Sequence, residues 1–191
     1  MKHAVSPLPG MSVIKIGGGL AGIPNALDRV CRAVEEAGQV GRIVVVPGGG
    51  RLADAVREFD RDTGLSPTAA HWMALLAMDQ YAFAIADRMP GAVLLEDAGS
   101  VPGVVAQGKV AVLAPSRWMR AADVLPHSWD VTSDSIAAFI AGALGAIRLV
   151  LIKPVAPAGV DPCFARFVPV GLPVSIISWD RVETLGEELS G

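Results

Sequence analysis

Apolar residues fall into two rhythms along this chain. Short, nearly unbroken apolar runs stand at 12–16 (SVIKI), 42–46 (RIVVV), 92–97 (AVLLED), 110–115 (VAVLAP), 147–153 (IRLVLIK) and 174–178 (VSIIS). Runs of this length and β-branched content predict strands buried on both faces. Between them the apolar positions recur at three and four. Leu27, Val30, Ala33, Val34 and Ala37 predict an amphipathic helix over 25–39 that stops at Gly38. Leu52, Ala55, Val56 and Phe59 share one face of a second helix in 51–64. Ser66 as cap, with Pro67 at the first position, opens a long helix that runs to Pro90. That helix is apolar nearly all round, which predicts burial on more than one side. A short helical turn follows at 117–126, a strong helix at 128–146 and a closing helix at 179–191. The segment 99–109 (GSVPGVVAQGK) has no clear period and reads as an irregular connection or an edge hairpin, and the proline-rich 154–173 reads as irregular.

Strands alternating with helices predict an α/β fold, a three-layer αβα sandwich around a mainly parallel sheet. In such folds ligands bind beyond the carboxyl ends of the strands. Two strands run straight into three glycines there, VIKIGGG at 13–19 and VVVPGGG at 44–50. Each ordered glycine costs about 0.5–1 kcal/mol relative to alanine, so two such turns need a reason. A glycine turn between a strand and a helix exposes backbone N–H groups and makes an oxyanion cradle. Neither turn matches a Walker A loop or a dinucleotide fingerprint.

Composition narrows the field. The chain is 52% hydrophobic and 18% charged over 191 residues, enough for a large core in one domain, and it excludes disorder. A net charge of −3 without a basic block argues against a nucleic-acid partner. Cys31 and Cys163 make neither a disulfide framework nor a metal set and fit a reducing cytoplasm. His3, His71 and His127 have no metal-ligand spacing, so no metal site is expected from protein residues, and His71 and Trp72 read as packing residues. The N-terminal tail carries Lys2 but no apolar stretch of a signal peptide, and the apolar run 136–152 is broken by Gly142, Gly145 and Arg148, against a membrane span.

Three side chains carry candidate chemistry. Lys15 interrupts an apolar strand two residues before the first glycines, on the same face as Val13 and Gly17, placed to reach an anion held by the turn. Asp134 lies among Thr132, Ser133 and Ser135 at a helix start, where it serves either as an ordinary N-terminal cap or as an anchor for lysines or a metal ion. From local sequence the cap is favoured. Lys153 ends a strand before Pro154 and is placed to sit across the site from Lys15.

The ordered set IKIGGG (14–19), VVVPGGG (44–50), MALLAMDQYAFAIA (73–86), TSDSIAAFIA (132–141) and LVLIK (149–153) resembles the amino acid kinase family. The resemblance implies an ATP-dependent phosphotransferase using Mg²⁺. Lys15 with Gly17, Gly18 and Gly19 would hold the nucleotide and the transferring phosphoryl group. Gly48, Gly49 and Gly50, with Arg51, would hold the acceptor; Thr132 and Ser133 would line its site, and Asp134 would organise the lysines. It also implies a homodimer through the 66–89 helix, an acceptor-binding part over about 12–125 and a nucleotide-binding part over about 126–191. Within the family the short length and HSWDVTSDSIAA are most similar to the (aminomethyl)furanmethanol phosphate kinases of methanofuran biosynthesis, whose acceptor is a phosphate. The chain departs from the family after Lys153. KPVAPAGVDPCFARF keeps only an echo of the usual aspartate–glycine loop, and no later phosphate-binding lysine follows, so the C-terminal half is abbreviated. Two alternatives stay open on that account: a non-catalytic binder of nucleotide or oxyanion, and a subunit that needs a partner.

Overall fold

The computed structural model describes residues 10–155 and 159–190; the tail with Lys2 and His3, and 156–158 in the proline-rich stretch, lie outside them. Six strands, β1 (Met11–Ile16), β2 (Arg42–Pro47), β3 (Val93–Leu95), β4 (Ala111–Leu113), β5 (Arg148–Lys153) and β6 (Val174–Ser178), form one sheet in the order β3-β4-β2-β1-β5-β6. Every neighbouring pair is parallel. The helices are α1 (Ala26–Gly38), α2 (Gly50–Thr63), α3 (Pro67–Ala86), α4 (Val101–Val105), α5 (Ser116–Ala122), α6 (Ser133–Leu144), α7 (Phe164–Phe167) and α8 (Leu185–Ser190). The chain leaves β1 toward β2 on one side and returns to β5 on the other. That makes β1 the topological switch point, where the connections part and a crevice opens at the carboxyl ends.

Alternation along β1 sorts the two layers. Ile14 and Ile16 pack with Val30 and Val34 of α1, Ile85 of α3 and Leu185 of α8. Val13 points the other way, with Val44, Val46, Leu75 and Met78, against Ile140 of α6. The long helix α3 therefore serves both cores, Leu75 and Met78 on one and Tyr81 and Ile85 on the other, which explains its apolar surface. Ser66 caps it as its position predicts, its hydroxyl accepting from the Ala69 N–H at 3.2 Å.

The structure departs from the sequence-based expectations in several places: the stretch 154–173, expected to be irregular, holds the short helix α7, and the expected closing helix from 179 begins as a 3₁₀ segment, Trp179–Thr184, before α8. The stretch 99–109 is neither irregular nor a hairpin: Asp97 caps a 3₁₀ turn through the Ser100 N–H at 2.9 Å, and α4 follows with Val101 and Val105, four apart, buried. The expected apolar face of α2 is not core either. No α2 residue is buried, and Leu52 and Phe59 are 39% and 50% exposed. Leu76 and Phe83 of α3 are likewise exposed.

Candidate functional site

Lys15 pairs in register with Leu151 of β5, so Lys153 stands two residues further along the adjacent strand, on the same face. The two lysines are neighbours on one wall, not partners across a cleft. Between them α6 inserts Asp134. Lys15 Nζ lies 2.9 Å from Oδ1, and Lys153 Nζ donates to Oδ2 at 2.6 Å and to the Gly159 carbonyl at 2.6 Å. The Lys15 contact is an ion pair whose angle misses hydrogen-bond geometry, so Oδ1 has no hydrogen bond. All three residues are buried, at 6%, 3% and 7% exposure for Lys15, Asp134 and Lys153.

Two ammoniums share the Asp134 carboxylate, and the buried Asp161 carboxylate also acts on Lys15. Burial opposes the Asp134 charge, but Lys15 and then Lys153 outweigh it and hold the carboxyl below its usual range. Burial pushes the Lys15 ammonium down, against the pull of Asp134. An oxyanion brought to this strand end is attracted by the two ammoniums. The geometry is that of an anion receptor at the carboxyl end of the central strand.

Asp134 is free for this work because other groups cap α6. The Asp161 carboxylate accepts from the Thr132 N–H at 3.1 Å, the Thr132 hydroxyl at 2.8 Å and the Ser135 N–H at 3.0 Å, and also from the Ser135 hydroxyl and the Cys163 N–H. The Thr132 side chain accepts from the Asp134 N–H at 3.4 Å. The cap role favoured for Asp134 thus belongs to Thr132 and Asp161. Asp161 lies 26 residues beyond Ser135, so no local spacing signals it.

The glycine turns meet each other. A Cβ on Gly18 would lie 2.0 Å from the Gly50 nitrogen, and one on Gly48 would lie 2.3 Å from the Gly18 nitrogen. Gly50 also takes φ +54°, a backbone region that favours glycine. Part of the reason for two glycine runs is therefore that two backbones cross with no room for side chains. Gly17 and Gly48 spend their N–H groups on the sheet, donating to Ile152 and Ile16 carbonyls at 2.8 Å each. Gly19 faces the Pro154 ring. The intrahelical ladder of α2 begins with the Ala53 N–H on the Gly49 carbonyl at 3.2 Å, so the amides before it have no intrahelical acceptor.

Gly18, Gly49 and Gly50 divide two hollows. A cavity of about 170 Å³ lies toward α3 and α6, bounded at the glycine end by Thr132 and Ser133. Its far end holds Asp54, Arg57, His71 and Trp129 over apolar walls such as Leu75 and Met78. A wider hollow of about 610 Å³ opens on the other side and contains Arg51, which is thereby separated from Thr132 and Ser133. Sequence reasoning missed the far-end group. Arg57 lies 4.6 Å from the Trp129 ring centre, and the Trp129 indole N–H donates to Asp60 at 2.8 Å. His71 does pack on Trp72, edge-on at 4.8 Å, as expected, but it also stacks on His127 at 4.5 Å and faces the cavity. Burial, then His127, pushes its pKa down to about 4.

Similarity to known proteins bears on the family and the fold. The model of the amino acid kinase family matches residues 10–157. A [5-(aminomethyl)furan-3-yl]methyl phosphate kinase of Methanocaldococcus jannaschii is 30% identical over 176 residues, 92% of this chain and 77% of the relative. Among solved structures, UMP kinase from Bacillus anthracis superimposes with a TM-score of 0.65 at 11% identity, covering 95% of this chain and 93% of that one. Uridylate kinase from Archaeoglobus fulgidus gives 0.60 at 20% identity, covering 79% and 69%. These two likenesses concern the fold.

Proposed function

The chain belongs to the amino acid kinase family and is a kinase, and from that premise we propose that it transfers the γ-phosphoryl group of ATP to a small ring-bearing phosphate monoester. The observation that carries the reading is the buried Lys15–Asp134–Lys153 cluster, close in the chain to a cavity lined by Gly18, Gly49, Gly50, Thr132 and Ser133. Phosphoryl transfer needs little covalent help from protein and depends on positioning and charge neutralisation. Lys15, with Gly18 and Gly19, holds the transferring phosphoryl group. Lys153 supplies a second positive charge beside Lys15. Asp134 holds both ammoniums in place and touches no substrate. Gly49, Gly50, Thr132 and Ser133 receive the acceptor phosphate, which is already ionised and needs no general base. Mg²⁺ would come with ATP, bridging its phosphates and neutralising charge as is usual for kinases.

The apolar Leu75 and Met78 and the Trp129 ring, beside the glycines and hydroxyls of the same cavity, suit a small ring that carries a phosphate. The M. jannaschii relative is a kinase of such a furan phosphate, and the same acceptor and a role in methanofuran biosynthesis are our reading for this chain. The reading extends to a homodimer through α2 and α3, whose exposed Leu52, Phe59, Leu76 and Phe83 present an apolar face to a second copy. Residues of about 12–125 then serve acceptor and dimer, and about 126–191 the nucleotide. No described helix is long and apolar enough to cross a membrane. A cytoplasmic setting suits the buried thiol of Cys31, which burial pushes up to about 12.

The test is ³¹P NMR of the purified chain with ATP, Mg²⁺ and three acceptors in turn: [5-(aminomethyl)furan-3-yl]methyl phosphate, the corresponding alcohol, and UMP. A diphosphate from the first alone supports the proposal. Phosphorylation of the alcohol or of UMP in its place overturns it. ATP binding without transfer to any of them favours the non-catalytic reading that the short C-terminal half suggests.

A further inference from the structure

The lining of the 170 Å³ cavity changes character, with the backbone of Gly18, Gly49 and Gly50 and the hydroxyl residues Thr132 and Ser133 in one part of it. Asp134, with its two lysines, follows Ser133 in the chain and is not itself in the lining. At the far end stand Asp54 and His71. The cation there, Arg57, is already committed: it pairs with Asp54 at 3.2 Å and lies over the Trp129 ring. Asp54 has oxygen lone pairs left after that single contact.

His71 is held by its neighbours and not by its own hydrogen bonds, of which none is present among the described residues. His127 stacks on it with planes 21° apart, and Trp72 closes one edge. His127 itself is fixed at both nitrogens, Nε2 to Asp123 and Nδ1 to the Thr68 hydroxyl, each 2.9 Å. The histidine facing the cavity thus has a fixed ring and unspent nitrogens. With its pKa pushed down to about 4 it is neutral at physiological pH and offers a lone pair. A neutral imidazole and a carboxylate together accept hydrogen bonds from a cationic donor.

We infer that His71 and Asp54 are specificity-determining residues that read a protonated primary amine on the acceptor, at the end opposite its phosphate. The substrate class is a zwitterionic ring phosphate, oriented by opposite charges at its two ends. Phosphate binds at the glycines, the ring lies between Trp129 and the Leu75–Met78 wall, and the ammonium meets Asp54 and His71. This rests on the kinase reading with a phosphate acceptor.

Steady-state kinetics with two acceptors decide it: [5-(aminomethyl)furan-3-yl]methyl phosphate and its counterpart with hydroxymethyl in place of aminomethyl. The wild type should prefer the amine by at least tenfold in kcat/KM, mainly through KM. Asp54→Asn, at an exposed position, and His71→Leu should each bring that preference toward unity. KM for ATP should stay unchanged in both variants. Turnover of both acceptors with equal efficiency by the wild type, or a preference that survives Asp54→Asn, overturns the inference and leaves the kinase reading standing. Absence of turnover with either acceptor by the wild type overturns both. His71→Gln guards against misfolding in the leucine variant: an amide that still accepts a hydrogen bond should retain part of the preference.

Discussion

At the scale of single residues the balance of charge in one buried cluster decides the chemistry. Asp134→Asn removes the carboxylate that both buried ammoniums contact, and breaking a buried ion pair in this way costs about 3–5 kcal/mol. The variant should show a lower urea midpoint at pH 7 and lose turnover. Its pH dependence has a definite sign. The folded-state pKa of Asp134 lies below the ordinary 3.8, so its stabilisation is full above 3.8 and fades as pH falls toward the folded value. Wild type and Asp134→Asn should therefore converge in stability on acidification below 3.8; a gap that stays constant there contradicts the assignment. Much of this was legible in the chain. A lysine inside an apolar strand beside glycines is improbable unless it has an anion to meet, and Lys15 meets one. Local sequence left the role of Asp134 open, since a TSDS cluster at a helix start has the same form whether its aspartate caps or reaches inward; only the family resemblance implied that it holds the lysines.

Among elements, the helix α6 owes its position to a residue far along the chain. Asp161 gathers the Thr132 and Ser135 amides that a local cap would otherwise serve. Asp161→Ala should cost about 1–2 kcal/mol, the usual effect of losing a helix cap. It should also raise KM for the acceptor several-fold, because Thr132 and Ser133 line the acceptor cavity. A thermal shift without a change in KM would mean that the cap serves stability alone. Strands and long helices were readable because burial imposes periods of two and 3.6 on the apolar pattern. The short α4 was not: its two buried valines span a single turn, too little to establish a period. The glycine turns were half readable. Their number announced a close approach, but that the close neighbour of each is the other follows only from the sheet order, which puts β1 beside β2.

For the whole molecule, the surface that α2 and α3 leave exposed is the feature a lone protomer does not explain. Leu76 and Phe83 are 51% and 59% exposed, with Leu52 and Phe59 exposed on α2. Burying such surface yields about 25 cal/mol per Å², which favours association with a second copy. Sedimentation equilibrium should find a dimer, and Phe59→Glu with Phe83→Glu should give a folded monomer, since neither side chain belongs to the protomer core; a monomeric wild type contradicts this. The central claim, that one buried lysine–aspartate–lysine cluster drives phosphoryl transfer onto a phosphate, is tested most directly with γ-³²P-labelled ATP and [5-(aminomethyl)furan-3-yl]methyl phosphate. The wild type should form labelled diphosphate, and Lys15→Ala should lose about 10²–10³-fold in kcat with little change in acceptor KM. Labelled diphosphate formed equally well by Lys15→Ala, or by neither protein, would contradict the account.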